Sequence, residues 1–291
     1  MHKAGFIAII GKPNAGKSTL LNTLLGQELS IVTPKAQTTR HRIRGVLSNE
    51  NYQLVFSDTP GIITPGYKLH QRMMSFVQSA FSDADIILLV YDINDKGFDF
   101  DKFKLMLPAG KKLIIALNKI DLSNQQDVEH TVAFLNQKLK PEAVIPISAT
   151  ERFGGEVLIH TLVKYLPEGP PNFEREVLTD RKERFFAAEI IREKIFLQFE
   201  KEVPYSIEVA IEEYKESPSL VKIRSFIFVE RESQKSIILG KNGIAIKRLG
   251  MEARKKIEEM TGKKVFLELT VKIRGDWRND EQQLNNFGYR E

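Results

Sequence analysis

From residue 4 to residue 166, short apolar runs alternate with longer helix-like stretches. The runs are FIAII, YQLVF, DIILLV, KLIIAL and AVIPI. Rich in Ile, Val and Leu and without strict alternation, they suit strands buried on both faces. The intervening segments 17–25, 70–82, 98–107, 127–139 and 155–165 are long enough for crossover helices. This rhythm predicts an α/β domain, a mostly parallel six-stranded sheet with helices on both faces.

At Leu166 the rhythm stops. The stretch PEGPPNFEREVLTD has no apolar period and reads as a linker over 167–179. Residues 180–291 then follow the order α-β-β-α-α-β, an α+β module. Ala187, Ile191, Ile195 and Phe199 recur every four residues and form one helix stripe. Segments 205–214 and 221–229 read as strands. A helix from about 244 should bury Ile246, Leu249, Ala253, Ile257 and Met260. The last strand alternates Val265, Leu267, Leu269, Val271 and Ile273 inward with Glu268, Thr270 and Lys272 outward.

Composition narrows the chemistry. The chain has no cysteine, which removes disulfides, Cys-bound zinc, iron–sulfur clusters and thiol nucleophiles. No run approaches a membrane span or a signal sequence, so a soluble cytoplasmic chain is expected. The net charge is +5, but residues 235–264 alone carry +6. Basicity gathered in one window is the footprint expected of nucleic-acid binding.

The strongest motif is Gly11-Lys12-Pro13-Asn14-Ala15-Gly16-Lys17-Ser18, a full G-x-x-x-x-G-K-[ST] between a strand and a helix. In that pattern the backbone N–H groups of Asn14, Ala15, Gly16 and Lys17, continuing to Ser18 and Thr19, turn around phosphates. Lys17 bridges the β- and γ-phosphates, and Ser18 ligates Mg²⁺. Asp58-Thr59-Pro60-Gly61 closes strand YQLVF. Its aspartate can hold Mg²⁺ and its Gly61 amide can meet a γ-phosphate. Asn118-Lys119-Ile120-Asp121 closes strand KLIIAL. A carboxylate at Asp121 accepts from guanine N1–H and the 2-amino group, which adenine cannot match. Asn118 tethers the loop, the Lys119 stem covers the ring, and Ser148-Ala149-Thr150 adds a backbone donor to guanine O6. Each motif sits at a strand's carboxyl end, where ligands bind in such sheets.

In the second domain, Gly240-Lys241-Asn242-Gly243 joins two helices and lets the backbone approach a sugar-phosphate chain. Lys247 and Arg248 follow within the basic window. Ile237, Ile238, Ile244 and Leu249 around this loop either pack on bases or belong to the core. Trp277 caps the core or stacks on RNA. A protein- or membrane-docking role for this half is the rival reading.

Taken in order, these motifs resemble the translation-factor-like GTPases. Gln37-Thr38-Thr39-Arg40-His41 resembles switch I of the Era GTPases, and the GTPase-then-KH order resembles that family over essentially the whole chain. The resemblance implies a P-loop GTPase domain at 1–166 and a type II KH domain at 180–291. It implies that Thr39, with Thr38 as the weaker candidate, joins Ser18 and Asp58 on Mg²⁺ when GTP is bound. It also implies contact with the 3′ end of 16S ribosomal RNA, a role in 30S subunit assembly, peripheral inner-membrane association and a monomeric chain. Ile62 departs from the Ras-type pattern, which places a water-orienting Gln there, so intrinsic hydrolysis should be slow. Arg40, Arg42 and Arg44 are expected as solvated switch residues.

Overall fold

The computed structural model describes residues 2–290. By packing, the chain divides into two compact units. The first comprises residues 2–32, 39–65 and 73–180; the second comprises 33–38, 66–72 and 181–290. The short segments 33–38 and 66–72 therefore pack with the C-terminal half, although they lie within the sequence-defined 1–166 domain.

In the first half of the chain the strands are β1 (Lys3–Ile10), β2 (Ile43–Ser48), β3 (Tyr52–Asp58), β4 (Ile86–Asp92), β5 (Lys112–Asn118) and β6 (Ala143–Pro146). They order as β2-β3-β1-β4-β5-β6, with only β2 antiparallel. The helices are α1 (Lys17–Leu25), α2 (Lys68–Asp83), α3 (Phe100–Met106), α4 (Gln125–Leu139) and α5 (Gly155–Tyr165). The continuous apolar runs reflect two cores. Ile7, Ile9, Ile86, Leu88 and Val90 face the cluster that takes in Leu20 and Leu21 of α1 and Leu158 and Leu162 of α5. Their neighbours Ala8, Ile10, Ile87 and Leu89 face the cluster with Val77 of α2, Phe103 of α3 and Leu135 of α4.

Six strands were expected, but the apolar runs located only five. The sixth, IRGVLS, pairs at the sheet's edge and buries Ile43, Gly45 and Val46 while Arg44, Leu47 and Ser48 stay partly exposed, so it carries no continuous apolar run. The expected linker is also corrected. Gln53, 1% exposed, accepts from the N–H groups of Asn172 (2.7 Å) and Phe173 (2.9 Å) and donates to the Phe173 carbonyl (2.9 Å). Val46 N–H donates to the Leu178 carbonyl at 2.8 Å. Residues 178–179 thus pair with the outer backbone edge of β2, which a free connector would leave to water, and residues 172–173 hold the Gln53 side chain of β3.

The second unit contains α6 (Glu183–Gln198), β7 (Glu208–Glu216), β8 (Leu220–Val229), α7 (Glu232–Leu239), α8 (Ile244–Thr261), β9 (Lys264–Ile273) and α9 (Glu281–Asn286). Its sheet runs β7-β8-β9, with β8 and β9 parallel. The four-residue stripe on α6 is buried in one cluster with Leu249, Ala253 and Ile257 of α8. Two expectations shift at the margins of this core. Met260 on the last turn of α8 is 38% exposed, and Ile273 at the end of β9 is 42% exposed. The first strand starts at Glu208, later than expected, because Val203–Tyr205 forms a 3₁₀ turn containing Pro204. Trp277 is fully buried and donates its indole N–H to the Ser206 carbonyl at 2.9 Å, which rules out stacking on RNA.

Candidate nucleotide site and nucleic-acid interface

The P-loop leaves β1 and enters α1 through Gly16 at φ 97°, a left-handed conformation that costs an ordinary residue strain. Ala15 and Lys17 are buried, and Thr19 lies on the first turn of α1. Lys17 donates its ammonium to the Gly11 (3.2 Å) and Lys12 (2.9 Å) carbonyls. Burial lowers its pKa to about 8, against the opposing pull of Asp58. Gly61 presses on the same loop, since a Cβ there would lie 2.6 Å from the Pro13 nitrogen.

Three side chains from three segments converge beside Lys17. Ser18 donates its hydroxyl to Asp58 Oδ2 at 2.7 Å, and its oxygen lies 2.8 Å from Thr39 Oγ1. With the Ser18 proton on the carboxylate, Thr39 is the donor in the second bond. Asp58 Oδ1 is buried without a hydrogen bond of its own. Burial raises the Asp58 pKa, while Ser18, Lys17 and the nearby Ser30 hydroxyl hold it down. An orphaned carboxylate oxygen beside two hydroxyls is the donor set a hard dication takes, so these residues fit Mg²⁺. Thr38 is committed elsewhere: its hydroxyl donates to the Lys35 carbonyl at 2.7 Å, and its carbonyl accepts from Arg192 at 2.5 Å. Lys35 in turn donates to the Phe196 and Phe199 carbonyls at the C-terminal end of α6 (2.6 and 2.5 Å).

The switch arginines are not solvated as expected. Arg40 is 2% exposed. Arg42 and Arg44 share Asp83 at 2.6 and 3.2 Å, and Arg42 also donates to Ser57. Ile62 donates its N–H to the Gly11 carbonyl at 3.0 Å and packs its side chain, partly buried, against the core that holds Val77 and Phe103.

At the carboxyl end of β5, Asn118 is 2% exposed. It donates to the Ala15 carbonyl (2.8 Å) and accepts from Ala149 N–H (3.0 Å), joining the P-loop to the Ser148 segment. The Ala149 N–H of the segment expected to serve guanine O6 is therefore taken by Asn118. Ser148 is buried, Lys119 adopts φ 65°, and Asp121 is exposed.

In the second unit, Gly240 leaves α7 at φ 69°, and a Cβ on it would meet Ala245 Cβ at 2.6 Å. Lys241, Asn242 and Gly243 form a 3₁₀ turn with Lys241 and Asn242 exposed. Ile238 and Leu249 belong to the core, whereas Ile237 and Ile244 are 47% and 66% exposed. A groove of about 380 Å³ runs between α8 and β9, lined by Ile246, Lys247, Met251, Arg254 and Phe266 among others. Arg248 lies outside that lining and pairs with Glu252 at 2.9 Å. Ile246 packs against the core, as the helix pattern expects, and also lines the groove, whereas Met251 and Phe266 carry no such expectation from the sequence. The available signal was Phe266, an aromatic at an outward position of an alternating strand.

Sequence models of two families match the chain: a "50S ribosome-binding GTPase" over residues 6–119 and a "KH domain" over 202–278. GTPase Era of Syntrophus aciditrophicus is 43% identical over 100% of this chain and 96% of its own length. A chloroplastic GTPase ERA-like protein of Oryza sativa is 42% identical over 99% of this chain and 70% of its own length. Among solved structures, Era in complex with MgGDPNP and nucleotides 1506–1542 of 16S ribosomal RNA superposes with a TM-score of 0.96. That match has 39% identity and covers 100% of both chains. An Aquifex aeolicus Era variant bound to GDP and AlF4⁻ gives a TM-score of 0.94 at 40% identity, covering 99% of this chain and 100% of that one.

Proposed function

This chain belongs to the Era GTPases, and on that premise we propose that it is a Mg²⁺-dependent GTP switch acting on 16S ribosomal RNA during small-subunit assembly. The observation that carries the nucleotide half is the meeting of Ser18, Thr39 and Asp58 around an unsatisfied buried carboxylate oxygen. Magnesium bound there would neutralise charge on the triphosphate. Lys17, held now by two P-loop carbonyls, exchanges those acceptors for phosphate oxygens. Asp121 selects guanine, with Asn118 fixing the loop that presents it.

Hydrolysis of GTP by water yields GDP and phosphate and removes the group that Thr39 and Gly61 sense. Ile62 has no side-chain donor or acceptor for the attacking water. Turnover then relies on backbone and on Lys17, and it is slow without a partner.

The RNA half rests on the Gly240–Gly243 turn and the groove beside it. The turn presents Lys241 and Asn242 to solvent, and the groove supplies apolar Met251 and Phe266 with basic Lys247 and Arg254. An Era structure carrying the 3′-terminal segment of 16S RNA supports this reading. The "50S" family description concerns the GTPase portion alone. Coupling is proposed through segments 33–38 and 66–72, which flank Thr39 and Gly61 in sequence and pack within the KH-containing unit. Residues within 172–179, by contrast, are pinned to Gln53 and β2 and do not form a free connector.

Cytoplasmic location, peripheral contact with the inner membrane and a monomeric state are proposed on family membership alone. No helix among the described residues is long and apolar enough to cross a membrane.

The test is equilibrium binding of GTP and ATP with magnesium, then GTP turnover during titration with short single-stranded RNAs. GTP preference and turnover or RNA affinity that depends on the other ligand are expected. Preference for ATP overturns the nucleotide reading. RNA affinity identical with GTP and GDP overturns the switch.

A further inference from the structure

Four carboxylates fall within ten residues from the last residue of β4 onward, at Asp92, Asp95, Asp99 and Asp101, and their spacing suggests only a solvated loop. Each has a specific partner instead. Asp99 accepts from Lys102 N–H as the cap of α3, and Asp101 pairs with Lys138. The first two reach the nucleotide loops. Asp92 Oδ2 lies 2.7 Å from Lys119 Nζ, and Asp95 Oδ1 lies 2.8 Å from Lys12 Nζ.

The segment carrying these two acids is itself braced. Asp92 Oδ1 accepts from Asn94 N–H at 2.9 Å, and Asp95 Oδ1 accepts from Gly97 N–H at 2.9 Å. Tyr91 donates its hydroxyl to the Asp95 carbonyl at 2.7 Å, and Ile93 N–H donates to the Asn118 carbonyl at 3.1 Å. A short loop thus spans from the P-loop, at Lys12, to the base-selecting loop, at Lys119. Both acids are mostly shielded, with side chains 20% and 17% exposed.

We infer that Asp92 is a positioning residue for the guanine base, acting through Lys119. The inference rests on the reading of 118–121 as the base-selecting loop. A lysine side chain has four rotatable carbons and loses its freedom when it is fixed. With its ammonium held by Asp92, the Lys119 stem already lies along one course before nucleotide arrives. The cover over the ring is then preorganised, so ordering costs less on binding. Asp95 anchors the far end of the strut on Lys12, whose carbonyl receives the Lys17 ammonium. The effect belongs to the base end, so GTP and GDP should feel it equally.

Asp92→Asn is the clean perturbation, because an amide oxygen can still accept from Asn94 N–H while the negative charge facing the Lys119 ammonium is lost. The measurement is stopped-flow release of fluorescent GDP and GTP analogues, with GTP turnover at saturation, on the full chain. Release of both nucleotides should speed up about fivefold, with kcat unchanged and KM raised. In a Lys119→Met background, which keeps an apolar stem and removes the ammonium, the same Asp92→Asn change should alter release by less than about twofold. Asp92→Glu, which restores the carboxylate, should recover part of the loss. An equal loss in both backgrounds overturns the inference, because Asp92 would then act on the fold and not on Lys119. Unchanged release in the wild-type background overturns it as well. A parent chain that binds no guanine nucleotide fails at an earlier step and overturns the reading of the site, and the inference with it.

Discussion

Asn118→Ala isolates the physical role of the buried amide that joins two nucleotide loops. The side chain is 2% exposed and serves two backbone groups, the Ala15 carbonyl at 2.8 Å and the Ala149 N–H at 3.0 Å. Truncation strands both. A buried backbone group left without a partner costs ~1–3 kcal/mol. Water entering from the nucleotide cleft can meet part of that deficit, so the expected loss is about 2–4 kcal/mol in nucleotide-free protein. For a unit of this size, each kcal/mol moves Tm by about 2–4 °C.

The assay is urea unfolding without nucleotide, followed by far-UV circular dichroism. The chain's one tryptophan, Trp277, lies in the second unit, so its fluorescence serves as an internal control. The first transition should move and the Trp277 signal should not. Gly16→Ala supplies a second arm, since its Cβ would lie 2.2 Å from Asn118 Nδ2. In the Asn118→Ala background that clash has no partner, and only the cost of φ 97° remains, roughly 1–2 kcal/mol. The two substitutions should therefore be less than additive. Nucleotide-free stability unchanged within about 0.5 kcal/mol, alongside collapsed GTP affinity, would refute the argument. Asn118 would then matter only as a nucleotide contact.

Four further outcomes are expected. Lys17 has a pKa of about 8 when nucleotide-free, and phosphate should raise it, so GTP binding takes up a proton and weakens as pH rises through 8. Calorimetry in buffers of different ionisation enthalpy checks this, with no uptake near pH 8 as the contrary result. The same group makes the nucleotide-free fold gain stability from pH 8 toward 10.5, because the unfolded chain then binds more protons. Trp277→Phe removes the donor to the Ser206 carbonyl and should cost about 1–3 kcal/mol in the second unit. RNA affinity, measured on the folded variant, should stay unchanged, because a fully buried ring cannot stack on a base. Acidic substitution at both Lys241 and Asn242 should weaken single-stranded RNA binding by more than about 1.4 kcal/mol, tenfold in affinity. It should also flatten the salt dependence by roughly 0.7 for each phosphate no longer neutralised, while GTP binding holds.

Residue order alone marked the candidate nucleotide site. A glycine-rich turn before Lys17-Ser18, an aspartate ending β3 and Asn-Lys-Ile-Asp ending β5 are legible because backbone direction and residue type suffice to locate them. Continuous apolar runs announced the parallel strands, and a four-residue stripe announced α6, because periodicity records which faces are buried. Long-range pairing left no such record. The edge strand β2 was legible only once β3 and residues 172–179 lay beside it, and Gln53 reads as an ordinary strand residue until Phe173 arrives. Thr39 differs from Thr38 only in what lies opposite each: Ser18 for one, Lys35 and Arg192 for the other. The acids after β4 show the same limit. Charge in a sequence is solvated by default, and only the folded chain supplies a lysine 2.7 Å away.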